Sequence, residues 1–105
     1  MPDPLATNAT LRKWQGSRGT YHLITLAGSA AEAIEMHERL HRLEFGARRG
    51  FGSVKVMAQV GETAWKTSVF PQQGKTEWVL LVSKKVMRAE DLSEGDRIAL
   101  ELDLL

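Results

Sequence analysis

The sequence contains no cysteine and no long hydrophobic run. Without cysteine the chain cannot form disulfides, thiolate zinc sites or thiol nucleophiles, and such a composition suits a reducing compartment, so we expect a cytoplasmic protein. No apolar segment approaches the ~20 residues of a membrane span, and we therefore expect no membrane partner. The first residues, Met-Pro-Asp-Pro, also lack the basic and apolar regions of a secretory signal.

The length of 105 residues leaves room for one hydrophobic core. Hydrophobic residues make up 43% of the chain and charged residues 26%, which is ordinary for a folded domain and argues against disorder. Pro2 and Pro4 mark a loose beginning. We therefore expect residues 1–7 to be a flexible extension and residues 8–105 to form a single domain.

The net charge of +1 conceals an uneven distribution along the chain. Residues 1–47 are neutral overall, residues 48–88 carry eight basic and two acidic side chains, and residues 89–105 carry one basic and six acidic ones. The basic middle segment attracts anions only if folding gathers its side chains on one face. If the acidic segment, residues 89–105, pairs beside the basic segment in a sheet, the electrostatic fields of the two segments largely cancel.

One amphipathic helix is predicted over about residues 29–45. Ser29 is a suitable N-cap, and Glu32 lies three residues later, as in a capping box. Four apolar residues recur at spacings of three and four and share one helical face, which we expect to pack against an apolar surface: Ala33, Met36, Leu40 and Leu43.

Strand patterns dominate the remainder of the chain, over residues 8–15, 20–26, 54–60, 63–70, 76–82 and 97–104. Gly61-Glu62 supplies a two-residue hairpin, and Ser83 caps a short helical turn over about residues 84–89. The run from Trp78 to Val82 is apolar on both faces, so we expect a central strand there. Six strands and one substantial helix favour a mainly β fold, a small closed six-stranded barrel, because closure removes exposed edges and the helix covers one open side.

The second half carries four segments in a distinctive order, which are Arg49 to Val56, Trp65 to Pro71, Leu80 to Val86, and Gly95-Asp96 before the last strand. Together they resemble a small bacterial family called domain of unknown function nineteen-oh-five, firmly from about residue 46 and more loosely before it. Members occur alone or beside a bacteriocin-protection (YdeI/OmpD-associated) domain. The resemblance implies a double-split β-barrel, an architecture shared with AbrB-like DNA-binding domains, and it implies no activity.

A metal-binding pattern lies on the predicted helix. His37-Glu38-Arg39-Leu40-His41 spells H-E-x-x-H, in which two histidines one turn apart can bind Zn²⁺ and the glutamate can deprotonate a metal-bound water. A catalytic zinc site needs a third protein ligand, and the longer continuation of the pattern is absent from the sequence. We therefore interpret His37 and His41 as partly buried residues, expect neither metal nor cofactor, and keep a zinc-dependent hydrolase as the alternative.

A basic set in the middle segment is the main candidate for function. Its members are Arg48, Arg49, Lys55, Lys66, Lys84, Lys85 and Arg88. Such clusters bind phosphates through charge and counterion release, and Trp65 and Trp78, if exposed, can stack bases beside them. The alternative interpretation is a solvated surface whose lysines discourage aggregation of edge strands.

These patterns favour a non-enzymatic binding module over an enzyme. We expect the protein to recognise an anionic small molecule or nucleic acid through the basic set, as a monomer or a homodimer. A protein-interaction or assembly role is the remaining hypothesis, and the tendency of double-split barrels to pair is its only indication.

Overall fold

The computed structural model describes residues 4–45, 52–72 and 76–105. Their strands and helices, in chain order, are β1 (Leu5–Thr10), β2 (Arg12–Gly16), β3 (Gly19–Leu26), α1 (Gly28–Phe45), β4 (Val54–Val60), β5 (Thr63–Pro71), β6 (Trp78–Val82), α2 (Lys84–Ala89) and β7 (Arg97–Leu104). The seven strands of these described ranges join one antiparallel sheet in the order β1-β7-β4-β5-β6-β3-β2. The fold is therefore mainly β, as the sequence predicts.

The β4–β5 hairpin shows how the residue pattern determines local structure. Every second residue of β4 is buried, from Val54 to Val60, while the residues between them face solvent. Gly61 has a φ of 58°, which glycine adopts without the steric cost of a Cβ, and the turn pairs Val60 with Thr63. The predicted two-residue turn at Gly61-Glu62 is therefore confirmed.

The prediction of a closed six-stranded barrel is wrong. The sheet has seven strands in the described residues and curls into a half-barrel around the core. The additional strand arises because the segment predicted as one strand, residues 8–15, bends at Leu11 and pairs with β7 before the bend and with β3 after it. Leu11 is fully buried; its N–H donates to the carbonyl of Asp96, and its own carbonyl accepts from the N–H of Gly95.

The first strand begins earlier than the sequence indicates. β1 starts at Leu5, so residues 5–7 do not belong to an N-terminal extension but pair with residues 100–102 of β7. Leu5 also packs against the core, which gives this end of the strand an apolar contact. Pro4 is compatible with such a start, because it precedes the first paired residue and removes no hydrogen bond from the sheet.

Helix α1 forms over nearly the predicted residues, but it begins at Gly28, so Ser29 lies inside the helix and not at its N-cap, and the helix packs through a different face. The predicted apolar face leaves its three large members exposed, and Leu40 is 56% exposed. The apolar residues that are buried instead lie on the opposite side of the helix at 100° per residue, and they are Ala30, Ala31 and Ile34. The buried apolar face of α1 thus consists of two alanines and one isoleucine, while the large side chains of the predicted face remain exposed.

Helix α2 forms where the sequence predicts a capped turn. The hydroxyl of Ser83 accepts a hydrogen bond from the N–H of Val86 at 3.3 Å, and Val86 is buried in the core. At the other end of the helix, Glu90 accepts a hydrogen bond of 2.6 Å from the hydroxyl of Thr63, which ties α2 to the β4–β5 hairpin. Neither helix of the described ranges is long and apolar enough to cross a membrane.

Candidate functional site

The sheet splits where β6 ends. β6 pairs with β5 only from Val69 to Pro71 and with β3 only from His22 to Leu26, so the start of β3 and the first half of β5 extend beyond it. The opening between these two strands holds a cavity of about 390 Å³. Its walls are Thr20, Tyr21, His22, Trp65, Thr67, Leu81, Val82, Ser83 and Lys84.

A second cavity, of about 340 Å³, lies against α2. His22 and Lys84 line both cavities, so the two adjoin each other. The remaining walls of the second cavity are Met87, Arg88, Asp91 and Leu92. The two cavities together form what we call the cleft, and each has the size that small-molecule sites have in proteins, roughly 300–1,000 Å³.

Helix α2 brings two of the predicted cations to the cleft. Lys84 and Arg88 are four residues apart, so they lie on one helical face, one turn from each other. Val86 lies on the opposite face and is buried, while Ser83 fixes where the helix begins. The buried valine and the cap thus set the rotation of the helix and place both cations on the cleft wall.

The end of α2 adds a carboxylate to the same wall. The N–H of Leu92 donates to the carbonyl of Met87 at 2.8 Å, and the N–H of Asp91 donates to that of Arg88 at 3.3 Å, which are the two hydrogen bonds of a Schellman motif. Asp91 has a φ of 51° at the position where glycine is usual. Among the described residues, Asp91 is the only acidic residue that lines the cleft.

The other described members of the basic set do not reach the cleft. Lys55 and Lys66 lie on the outer face of the β4–β5 hairpin, on the side away from the buried residues of β4. Lys85 is exposed but lines neither cavity. Arg48 and Arg49 lie outside the described residues. The structure therefore brings Lys84 and Arg88 together and separates them from Lys55 and Lys66.

The acidic tail lies beside the basic hairpin. β7 pairs with β4, and the registers place Lys66, Met57 and Asp103 in one row across three strands. Glu101 lies on the same outer face, opposite Gln59. On this outer face the acidic residues of β7 lie beside the basic residues of the hairpin, so their electrostatic fields largely cancel. Lys55 and Lys66 are therefore poor candidates for an anion site.

The two predicted stacking residues have different environments. Trp65 is half-buried and lines the cleft. Trp78 is only 3% exposed, because its strand lies between β3 and β5 and its side chain faces the core. The assignment of Trp78 as a stacking residue is therefore wrong, although the prediction that its strand lies inside the sheet is confirmed.

The H-E-x-x-H residues lie on a separate small cavity. His37, Glu38 and His41 line a space of about 10 Å³ together with the C-terminal Leu105, whose carbonyl oxygen is 3.0 Å from Nε2 of His37. Glu38 is buried, and its Oε2 lies 3.8 Å from Nε of Arg42. In the part of the chain that the structure describes, no three His, Asp or Glu side chains are arranged to hold a metal.

The third histidine of the chain, His22, lines the cleft and not this small cavity. The zinc-hydrolase hypothesis stays a prediction, and metal analysis of protein purified without a histidine tag tests it.

Sequence reasoning missed several residues around the cleft. His22 reaches it because β3 pairs with β6, and no local pattern signals that pairing. Trp14 and Tyr21 form a ring pair on the outer face of β2 and β3, next to the cleft. A charge count by strand does not single out this surface, because of the seven described strands only β7 contains aspartate or glutamate.

A family model described as domain of unknown function (DUF1905) matches residues 8–102. The chain belongs to the DUF1905 family. The match confirms the resemblance noted in the sequence, and it contains every residue named on the cleft wall of this DUF1905 domain. No curated protein matches the sequence.

Proposed function

We propose that this DUF1905 domain is a binding module without catalytic activity that recognises an anionic ligand in the cleft. The observation that carries the proposal is the pair of cations one helical turn apart, Lys84 and Arg88, on a wall shared with His22. Cationic side chains that converge on one concave surface form charge-assisted hydrogen bonds with phosphate or carboxylate oxygens.

The aromatic side of the cleft indicates a ligand with a planar part. Trp65 lines the cavity that also contains Lys84, and its half-buried ring is held by the core around it. A planar group can stack on an indole while its anionic group contacts the cations. Nucleotides have this combination of a planar ring and a phosphate, so a nucleotide or a nucleic acid is the ligand class that we favour.

Binding of two probes tests the proposal. We expect adenosine monophosphate to bind more tightly than inorganic phosphate in isothermal titration calorimetry at low salt, because only the nucleotide can use Trp65. Lys84→Gln and Arg88→Gln should each weaken adenosine monophosphate roughly tenfold, since each removes one charge-assisted contact.

Lys55→Gln is the matched control, because it removes the same charge from the outer face beside the acidic strand. The proposal is wrong if neither probe binds at low ionic strength, or if the control weakens binding as much as the cleft variants do.

A further inference from the structure

The outer face of the sheet carries an exposed apolar surface that the core does not use. Directly opposite residues of neighbouring strands share a face, so the strand registers place six apolar side chains on the outer side of β2, β3, β6 and β5. We call this set the platform, and its members are Trp14, Tyr21, Leu23, Leu81, Val79 and Phe70. Exposed apolar side chains grouped on one face of a folded domain make that face a candidate binding surface.

Two aromatic rings of the platform are exposed and contact each other. Trp14 is 56% exposed and Tyr21 39%, and their ring centroids are 5.7 Å apart with planes inclined by 30°. The indole of Trp14 lies over Gly16, where an added Cβ would be 2.6 Å from two ring atoms. Glycine at this position therefore lets the indole lie against its own strand, next to Tyr21.

One cation, Arg12, lies on the same face as the platform. Arg12 is opposite Leu23 and shares the outer face, whereas Lys66 on the outer face of β5 lies in one row with Asp103 and adds no separate anion site. The acidic residues of the sheet's outer face, Glu101 and Asp103, belong to β7 in the other half of the strand order. Arg12, together with the lack of aspartate and glutamate in the segments of β2, β3, β5 and β6, favours a negatively charged partner over a neutral or basic one.

The platform continues into the cleft. Tyr21 and Leu81 belong to the platform and also line the cavity that contains Lys84 and Trp65. A ligand that crosses Tyr21 therefore reaches the cations of α2 without leaving the protein surface. An extended ligand with several planar groups and several anionic groups fits this arrangement better than a single small molecule.

We propose that the protein binds single-stranded nucleic acid, with bases stacked on Trp14 and Tyr21 and with phosphates contacting Arg12 and Lys84. The proposal rests on the function proposed above, because the cleft supplies one of its phosphate contacts. Aromatic side chains beside cations bind single strands in this way with little sequence preference. A duplex hides the faces of its bases, and an acidic peptide has no succession of planar groups for the two rings.

Fluorescence anisotropy with a labelled oligothymidylate of twelve nucleotides tests the proposal. We expect Trp14→Ala to weaken binding roughly tenfold, since stacking of a base on an aromatic ring has about this effect. Trp14→Phe should restore most of the affinity, because it restores a ring. Leu40→Ala is the control, as it removes an apolar side chain that is equally exposed but lies on α1, away from the platform. Circular dichroism checks that each variant is folded.

Two competitors identify the class of partner. A duplex of the same length and polyglutamate should each compete much less well than the unlabelled single strand. Equal competition by either one, or an unchanged affinity of Trp14→Ala, overturns the proposal.

The two proposals can fail separately. If adenosine monophosphate binds through Lys84 but the oligonucleotide binds no more tightly than adenosine monophosphate, the cleft proposal stands and the platform proposal fails. If binding depends on Trp14 and on neither Lys84 nor Arg88, stacking on the platform stands, but the cleft proposal fails and with it the phosphate contact with Lys84.

Discussion

At the scale of single residues, α1 shows that size and hydrophobicity do not decide which side chain is buried. The helix has a face of small residues, Ala30 and Ala31 with Ile34, and a separate face of large residues that includes Met36 and Leu40. Only the first face reaches the core. The contribution of an apolar residue of this helix to the free energy of unfolding therefore depends on the face it occupies. This is because hydrophobic stabilisation is proportional to the apolar area removed from water.

Two truncations on α1 measure this difference. Ile34→Ala should lower the free energy of unfolding by about 2–5 kcal/mol, because Ile34 is fully buried and its removal leaves a cavity. Leu40→Ala should change it by less than about 0.5 kcal/mol, since the side chain is largely exposed and alanine favours helix. Urea unfolding followed by circular dichroism gives both values. Equal losses for the two variants would contradict the packing of α1 described here.

At the scale of elements, the sequence predicted the strands and helices well where one local signal is sufficient. Ser83 predicted the start of α2, and the alternation from Val54 to Val60 predicted β4. The prediction failed where a distant partner decides, as at Leu11, whose bend depends on hydrogen bonds with Gly95 and Asp96. No pattern within residues 8–15 contains that information.

The end of α2 allows the backbone and the charge of one residue to be tested separately. Asp91→Gly should stabilise the protein by roughly 0.5–1 kcal/mol, because glycine adopts the left-handed conformation of the Schellman motif without steric cost. Asp91→Asn should leave stability nearly unchanged, since asparagine tolerates this conformation, but should strengthen the binding of adenosine monophosphate by removing the carboxylate from the cleft wall. Thermal unfolding and calorimetry measure the two effects. A weaker complex with Asp91→Asn would show that the carboxylate assists the ligand.

At the scale of the whole molecule, the strand order determines which charged residues become neighbours in the sheet. The basic middle segment divides between the outer face of the hairpin and the cleft, and the acidic β7 lies beside the hairpin part only. Lys84 and Arg88 thus remain apart from Glu101 and Asp103. Net charge along the chain predicted a basic region, but it could not predict which cations lie away from the acidic strand β7.

The salt dependence of oligonucleotide binding tests whether the cations of the cleft contact phosphates while the lysines of the hairpin do not. Each phosphate contact with a single strand contributes about 0.7 to the slope of log K against log salt concentration, so Lys84→Gln should reduce the slope by about 0.7, and Arg88→Gln should do the same if the cleft holds a second phosphate. Lys55→Gln should leave it unchanged, because its outer face is shared with the acidic strand. Anisotropy titrations between low and moderate salt provide the slopes. Equal reductions for all three variants would mean that the protein attracts nucleic acid through its overall charge alone.

The sequence by itself determined the secondary structure of most of the chain and its family, because alternation, caps and turn residues act over a few neighbouring positions. It also indicated the cations Lys84 and Arg88 and the ring of Trp65 as candidates for binding. Only the tertiary structure decided that Trp78 is buried, that Lys55 and Lys66 lie beside acidic residues, and that Trp14 and Tyr21 border the cleft. These outcomes depend on which strands pair and where β6 ends, and strand pairing joins residues that are distant in the sequence.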